Sequence, residues 1–267
     1  MEFKIENKFN TIIVIGLGGL GSSIIEGLMG YLKLLDLEYE NNKEEIPLKN
    51  IFFYDADSVS SKKELYKLSF NHDVLIQREI GPTLATGYRK YELLTKQLKY
   101  SVLDYMTIEY DLNVVILEDY FTEKDALYML EHRKDLGRIL LIDATDRKAV
   151  VSQFYMQFIM EDDMVIAIGY DYSDKAKGEA NGMYYTIYIN PSLDSYATFQ
   201  NEYNHVPMSN LLANWISSYM WFLISHVNLD NYYDINITGD LLKNAFKDVE
   251  KFGLPRPIKK EEERSGV

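Results

Sequence analysis

One stretch constrains the fold of this chain more than any other. The apolar run Thr11-Ile-Ile-Val-Ile15 ends in Gly16-Leu-Gly-Gly-Leu-Gly21. Apolar residues then recur at Leu20, Ile24, Ile25 and Leu28, the spacing of one helix face, which predicts a helix over 19–35. A short run with no polar alternation is a strand covered on both sides. Glycines between such a strand and a helix let the backbone turn sharply and let an anion approach the helix N-terminus. The pattern is G-x-G-x-x-G in its proper strand–turn–helix setting, which points to a nucleotide-binding unit.

The rest of the chain repeats this alternation. Strands are expected at 50–54, 112–117, 138–142, 164–170 and 183–189. Helices are expected at 86–105, 122–134, 147–160, 207–227 and 240–251. This order predicts an α/β protein: a Rossmann-like, mostly parallel sheet flanked by helices, with additional antiparallel strands in the C-terminal half. Residues 1–254 are expected to form a single domain, with a polar, acidic loop insertion at about 37–49. Residues 255–267 read as a charged tail. Trp215, Tyr219, Trp221 and Phe222 lie along the 207–227 helix and read first as packing residues.

Composition narrows the function. The net charge is −13, which argues against a nucleic-acid partner. There is no cysteine, so disulfides, thiolate metal sites and cysteine nucleophiles are excluded. No stretch approaches the roughly 20 apolar residues of a membrane span. The N-terminal residues carry no signal-peptide pattern, so a cytoplasmic protein is expected.

Four further positions carry chemistry. Asp55 closes the second strand, where an acid accepts the ribose hydroxyls of a bound nucleotide. Asp57 either supports it or is solvated. Lys90, at the head of the 86–105 helix, can reach phosphates as a mobile charge, although most helix lysines are simply solvated. Asp143 and Asp146 stand at the end of the fourth strand. Asp146 can serve a magnesium ion against phosphates, or cap the helix that follows, and the residues by themselves favour the cap.

Taken together, these pieces resemble the ThiF/MoeB family of ATP-dependent adenylyltransferases, whose fold is shared with ubiquitin-activating enzymes. The matching segments are Ile15-Gly-Leu-Gly-Gly-Leu-Gly21, Tyr54-Asp-Ala-Asp-Ser-Val59, Gly87-Tyr-Arg-Lys90 and Ile142-Asp-Ala-Thr-Asp146, with a weaker continuation through Val206-Pro-Met-Ser209. The resemblance implies that Gly16, Gly18, Gly19 and Gly21 wrap the ATP phosphates and that Asp55, with Asp57 beside it, binds ribose. It implies that Lys90 contacts phosphates and that Asp146 serves Mg²⁺. The implied reaction is adenylation of the C-terminal carboxylate of a small ubiquitin-like protein or peptide, by a homodimer.

Three departures stand out. Lys67 occupies the place of a family arginine, and lysine lacks the planar fork. Arg147 stands where the family has asparagine, and is assigned part of the missing arginine's role. No arginine precedes the glycines. A non-catalytic nucleotide- or partner-binding relative is therefore the alternative reading. A nicotinamide-dependent oxidoreductase, which leaves Lys90 and Asp146 unexplained, is the third.

Overall fold

The computed structural model describes residues 9–42, 45–59, 68, 89–98, 101–145, 152–171, 184–191, 210–232 and 235–240. In chain order they form β1 (Thr11–Ile15), α1 (Gly19–Asn42), β2 (Asn50–Tyr54), α2 (Lys90–Leu98), α3 (Val102–Glu109) and β3 (Asn113–Leu117). There follow α4 (Glu123–Glu131), α5 (Arg133–Leu136), β4 (Ile139–Asp143), α6 (Ser152–Met160), β5 (Met164–Asp171), β6 (Tyr184–Ile189), α7 (Asn210–His226) and β7 (Ile235–Asp240).

The strands make one seven-stranded sheet in the order β3-β2-β1-β4-β5-β6-β7. From β3 to β5 all neighbours are parallel; β6 then runs antiparallel to both β5 and β7. This is the expected Rossmann-like α/β architecture with antiparallel strands added at the C-terminal side. The chain builds outward from β1 to β3, then returns to place β4 on the other side of β1. That reversal is a topological switch point, where a crevice opens at the carboxyl ends of β1 and β4.

Successive residues of β1 face opposite layers, as strand geometry requires. Ile12 and Val14 pack with Ile24, Leu28, Leu32, Leu94, Met106 and Trp221, from α1, α2, α3 and α7. Ile13 and Ile15 pack with Ala126, Met129, Leu136, Phe154 and Phe158, from α4 to α6. Helices thus cover both faces, which explains the unbroken apolar strands. The longest helix pairing is α1 on α7. There the buried Trp221 indole donates to the Ile24 carbonyl at 2.9 Å and stacks on Tyr31, with centroids 5.0 Å apart.

Several element boundaries differ from the sequence-based expectation. Residues 37–42 are helix, not loop: α1 continues to Asn42 because Leu35 is buried, Tyr39 packs on the core and Asp36 accepts a hydrogen bond from Tyr110. The 86–105 segment is two helices rather than one. Ser101 interrupts it, with its side chain accepting the Leu103 N–H at 3.1 Å as an N-cap. The 122–134 helix likewise breaks at His132. Strand β7 was not anticipated. Of the helix expected at 240–251, Asp240 is instead the last residue of β7, and 241–251 lie outside the described residues, as does the tail.

At the amino-terminal edge of the sheet, the buried Asp163 accepts the Ile139 N–H at 2.8 Å and a two-pronged contact from Arg133 at 3.1 and 3.2 Å. Burial outweighs those partners and pushes its carboxyl up to about 6. A raised folded-state value means that the native protein holds this proton more tightly than the unfolded chain. The associated stability is complete below about pH 4 and is lost as pH rises through about 6. Urea unfolding should therefore show the wild type losing about 2 kcal/mol relative to Asp163→Asn between pH 4 and pH 6. A pH-independent difference between the two would contradict this assignment.

Candidate nucleotide site at the switch point

The glycines at the crevice are not equivalent. Gly16 has φ of +90°, a conformation open to glycine and costly for other residues, so it makes the turn possible. Its N–H donates to the Tyr54 carbonyl at 2.9 Å, which ties the turn to β2. A Cβ on Gly21 would lie 1.7 Å from the Gly16 carbonyl oxygen, so this glycine lets α1 pack directly on the turn. Among the described residues, a Cβ on Gly18 would meet nothing within 4 Å. The space beside Gly18 is open and faces the start of α1. As in any helix, the first N–H groups there have no acceptor within the helix and favour an anion. The neighbouring strand contributes Ala144 and Thr145, both 3.2 Å from a Cβ placed on Gly16.

Asp55 is buried at the end of β2 and works as a brace. Its Oδ2 accepts the Leu17 N–H at 2.6 Å and its Oδ1 accepts the Asp57 N–H at 2.7 Å. It thereby fixes the glycine turn to the 55–57 loop. Its own N–H donates to the Leu117 carbonyl at 3.2 Å, extending the connection to β3. Burial raises its carboxyl above the ordinary value, against the pull of the Lys90 ammonium and the two N–H donors. Asp57 is the more exposed of the pair, with 38 % of its side chain accessible against 5 % for Asp55.

Lys90 is drawn to these acids from 33 residues along the chain. It is the first residue of α2, and its Nζ lies 3.5 Å from Asp55 Oδ2 and 3.5 Å from Asp57 Oδ2. The lysine is buried. Its backbone N–H donates to the Asp57 carbonyl at 3.1 Å, and Ser58 bridges antiparallel to Arg89. Sequence reasoning missed Arg89, which docks this helix. Its guanidinium donates to the Ala56 carbonyl at 2.6 Å and pairs with Glu118 at 3.0 Å, while Glu92 accepts its N–H at 2.8 Å in the manner of a capping box. Only the adjacency of Arg89 to Lys90 hinted at a role.

Asp143, at the end of β4, is buried and turned toward its own loop. Its Oδ1 accepts both the N–H and the hydroxyl of Thr145, at 2.8 and 2.7 Å. It fixes the turn at Thr145 that follows β4. Asp146, Arg147 and Lys67 lie outside the described residues. Among the described residues no group of three or more His, Asp or Glu side chains could hold a metal ion. Magnesium commonly takes only one or two carboxylates and completes its shell with phosphates and water.

The strand order defines a doubly wound α/β protein with its topological switch point between β1 and β4. No protein-family model matches the chain, and no curated protein matches it. Among solved structures it is similar to E. coli tRNA N6-threonylcarbamoyladenosine dehydratase, TcdA, in complex with AMP. That match has 17 % identity and a TM-score of 0.37, over 59 % of this chain and 50 % of that one. It is also similar to PaaA, at 13 % identity and a TM-score of 0.46, covering 88 % of this chain and 61 % of that one. E. coli MccB with succinimide matches at 10 % identity and a TM-score of 0.44, covering 86 % and 64 %. The chain spans about half the length of the TcdA chains it matches. The fold class rests on the sheet order, and these likenesses assign no residue its role. No helix among the described residues is long and apolar enough to cross a membrane.

Proposed function

We propose that the chain is an ATP·Mg²⁺-dependent adenylyltransferase of the ThiF type. It would act as a homodimer on the C-terminal carboxylate of a small ubiquitin-like protein or peptide, without a cysteine nucleophile. The observation that carries this reading is the placement of Lys90. A buried ammonium shares Asp55 Oδ2 with the Leu17 N–H of the glycine turn. A nicotinamide-dependent oxidoreductase leaves such a lysine unexplained, whereas transfer at a phosphate uses a cation to offset the developing charge.

In the proposed reaction a carboxylate oxygen bonds to the α-phosphorus of ATP. The bond from that phosphorus to the bridging oxygen breaks, and pyrophosphate leaves with the electron pair. The products are an acyl-AMP and pyrophosphate. Most of the catalysis is positioning and charge neutralisation. The phosphates lie on the α1 N-terminus beside Gly18, and the ribose hydroxyls, which the family resemblance gives to Asp55, go instead to Asp57, because Asp55 is buried with its oxygens on Leu17, Asp57 and Lys90. Asp55 holds turn and loop together. Lys90 offsets phosphate charge. Asp146 is the residue assigned to the metal, which when bound would neutralise further phosphate charge.

Titration calorimetry with ATP and Mg²⁺, with NADH as comparison, tests the nucleotide. Pyrophosphate exchange with a panel of carboxyl-terminal peptides tests the chemistry. ATP binding that weakens in Asp146→Asn, together with peptide-dependent exchange, is the expected result. Tight NADH binding with no ATP binding would overturn the reading. ATP binding without any exchange would replace it by the non-catalytic alternative.

A further inference from the structure

We infer that Tyr120 is a nucleoside-positioning residue. Its hydroxyl orients Asp57 for the ribose, and its ring forms a wall of the purine subsite. The inference rests on the adenylyltransferase reading above and adds to it a residue that the sequence motifs do not contain.

The position follows from the sheet order. The glycine turn lies at the end of β1, the acids at the end of β2, and the next strand outward is β3. Adjacent strands are about 4.8 Å apart, so β3 lies roughly 10 Å from β1. That is the scale separating a nucleotide's phosphates from its base. A nucleotide with phosphates at Gly18 and ribose at Asp57 therefore directs its base to the residues that follow β3.

Those residues are held in place. Arg89 pairs with Glu118. The buried Phe121 ring packs edge-on against Tyr54, with centroids 4.9 Å apart. Thr122 and Asp125 form the capping box that starts α4. Between these anchors, the Tyr120 hydroxyl donates to Asp57 Oδ1 at 2.5 Å, while Lys90 approaches the other oxygen of the same carboxylate. Asp57 is thus oriented through both oxygens, by a hydroxyl from the segment after β3 and an ammonium from α2. Although tethered through its hydroxyl, Tyr120 remains 43 % exposed, so its ring offers an aromatic face beside the ribose acid. A base stacked on it gains binding that the phosphate end does not share.

The test compares wild type, Tyr120→Phe and Tyr120→Ala by titration with ATP·Mg²⁺ and, separately, with inorganic pyrophosphate, which has no nucleoside. Losing one hydrogen bond should weaken ATP binding about five-fold in Tyr120→Phe. Losing the ring as well should weaken it about thirty-fold in Tyr120→Ala. Pyrophosphate affinity and melting temperature should stay at the wild-type values in both. Equal losses for ATP and pyrophosphate would show a merely structural role and overturn the inference. So would unchanged ATP binding in both variants. Tighter ATP binding in Tyr120→Phe would show that the hydroxyl competes with the ribose for Asp57, and would also overturn it. A wild type that binds pyrophosphate but no nucleotide would remove the adenylyltransferase reading itself, and this inference with it.

Discussion

Gly21→Ala is expected to cost about 3 kcal/mol of stability or more, and to abolish nucleotide binding with it. The added Cβ would sit 1.7 Å from the Gly16 carbonyl oxygen and 2.8 Å from its carbon. Both obstacles are backbone, so no rotamer change can relieve them. Either α1 withdraws from the turn or the turn itself moves. The turn is held on two sides, by Gly16 N–H on Tyr54 and by Leu17 N–H on Asp55, so the helix is the part that gives way. Its first-turn N–H groups then leave the crevice. Gly18→Ala is the matched control. A Cβ there meets none of the described residues within 4 Å, so stability should change by less than about 0.5 kcal/mol. If phosphates occupy the open space beside Gly18, ATP binding in this variant should still fall at least about ten-fold, an expected effect of about 1.4 kcal/mol. Urea unfolding and ATP titration of the two variants separate the glycine that holds the fold from the one that leaves room for a ligand. Wild-type stability in Gly21→Ala would refute the close packing of α1 on the turn.

Lys90→Met should lower peptide-dependent pyrophosphate exchange by about 10²- to 10³-fold, the usual effect of removing one group that stabilises transition-state charge. It should also cost about 3 kcal/mol of stability, because it leaves a buried carboxylate without its cation. The two effects have different origins and can be separated. Asp55 already has a raised carboxyl, owing first to burial, and Lys90 is what opposes that rise. Without the lysine, Asp55 is protonated more readily, so the variant should recover stability as pH falls. Combining Lys90→Met with Asp55→Asn removes the unpaired charge and should restore most of the stability at neutral pH. Exchange activity should stay low in the double variant, since neither change returns a cation to the phosphates. If the double variant regained activity along with stability, Lys90 would be a structural ion-pair partner only.

The two variants probe parts of the site that differ in how far the sequence announced them. Gly16 and Gly21 were visible because they stand at fixed offsets after an apolar strand, and the constraint they answer is local. Asp55 and Asp143 were visible as acids at strand ends, and both lie there. Their work was not visible: Asp55 accepts from the Leu17 and Asp57 N–H groups, and Asp143 accepts through Oδ1 from Thr145. Lys90 could be singled out by its motif, yet in the sequence it remained one helix lysine among many. Its burial between two acids exists only because Arg89 docks α2 against the 56–58 loop.

The sequence by itself determined the β1–turn–α1 unit, the parallel strands read as unbroken apolar runs, and the strand-end positions of the acids. Each is set by spacing within one or two turns of chain, which pattern alone can reveal. Only the tertiary structure decided where α1 stops, since Tyr39 and Asp36 are held by packing and by Tyr110. It likewise decided the pairing of β7 with β6 and the meeting of Tyr120, Lys90 and Asp57. Those contacts join residues from separate elements, brought together by the strand order β3-β2-β1-β4. Strand order is a choice among pairings of similar local preference, settled by which faces can be buried together rather than by any short segment of sequence.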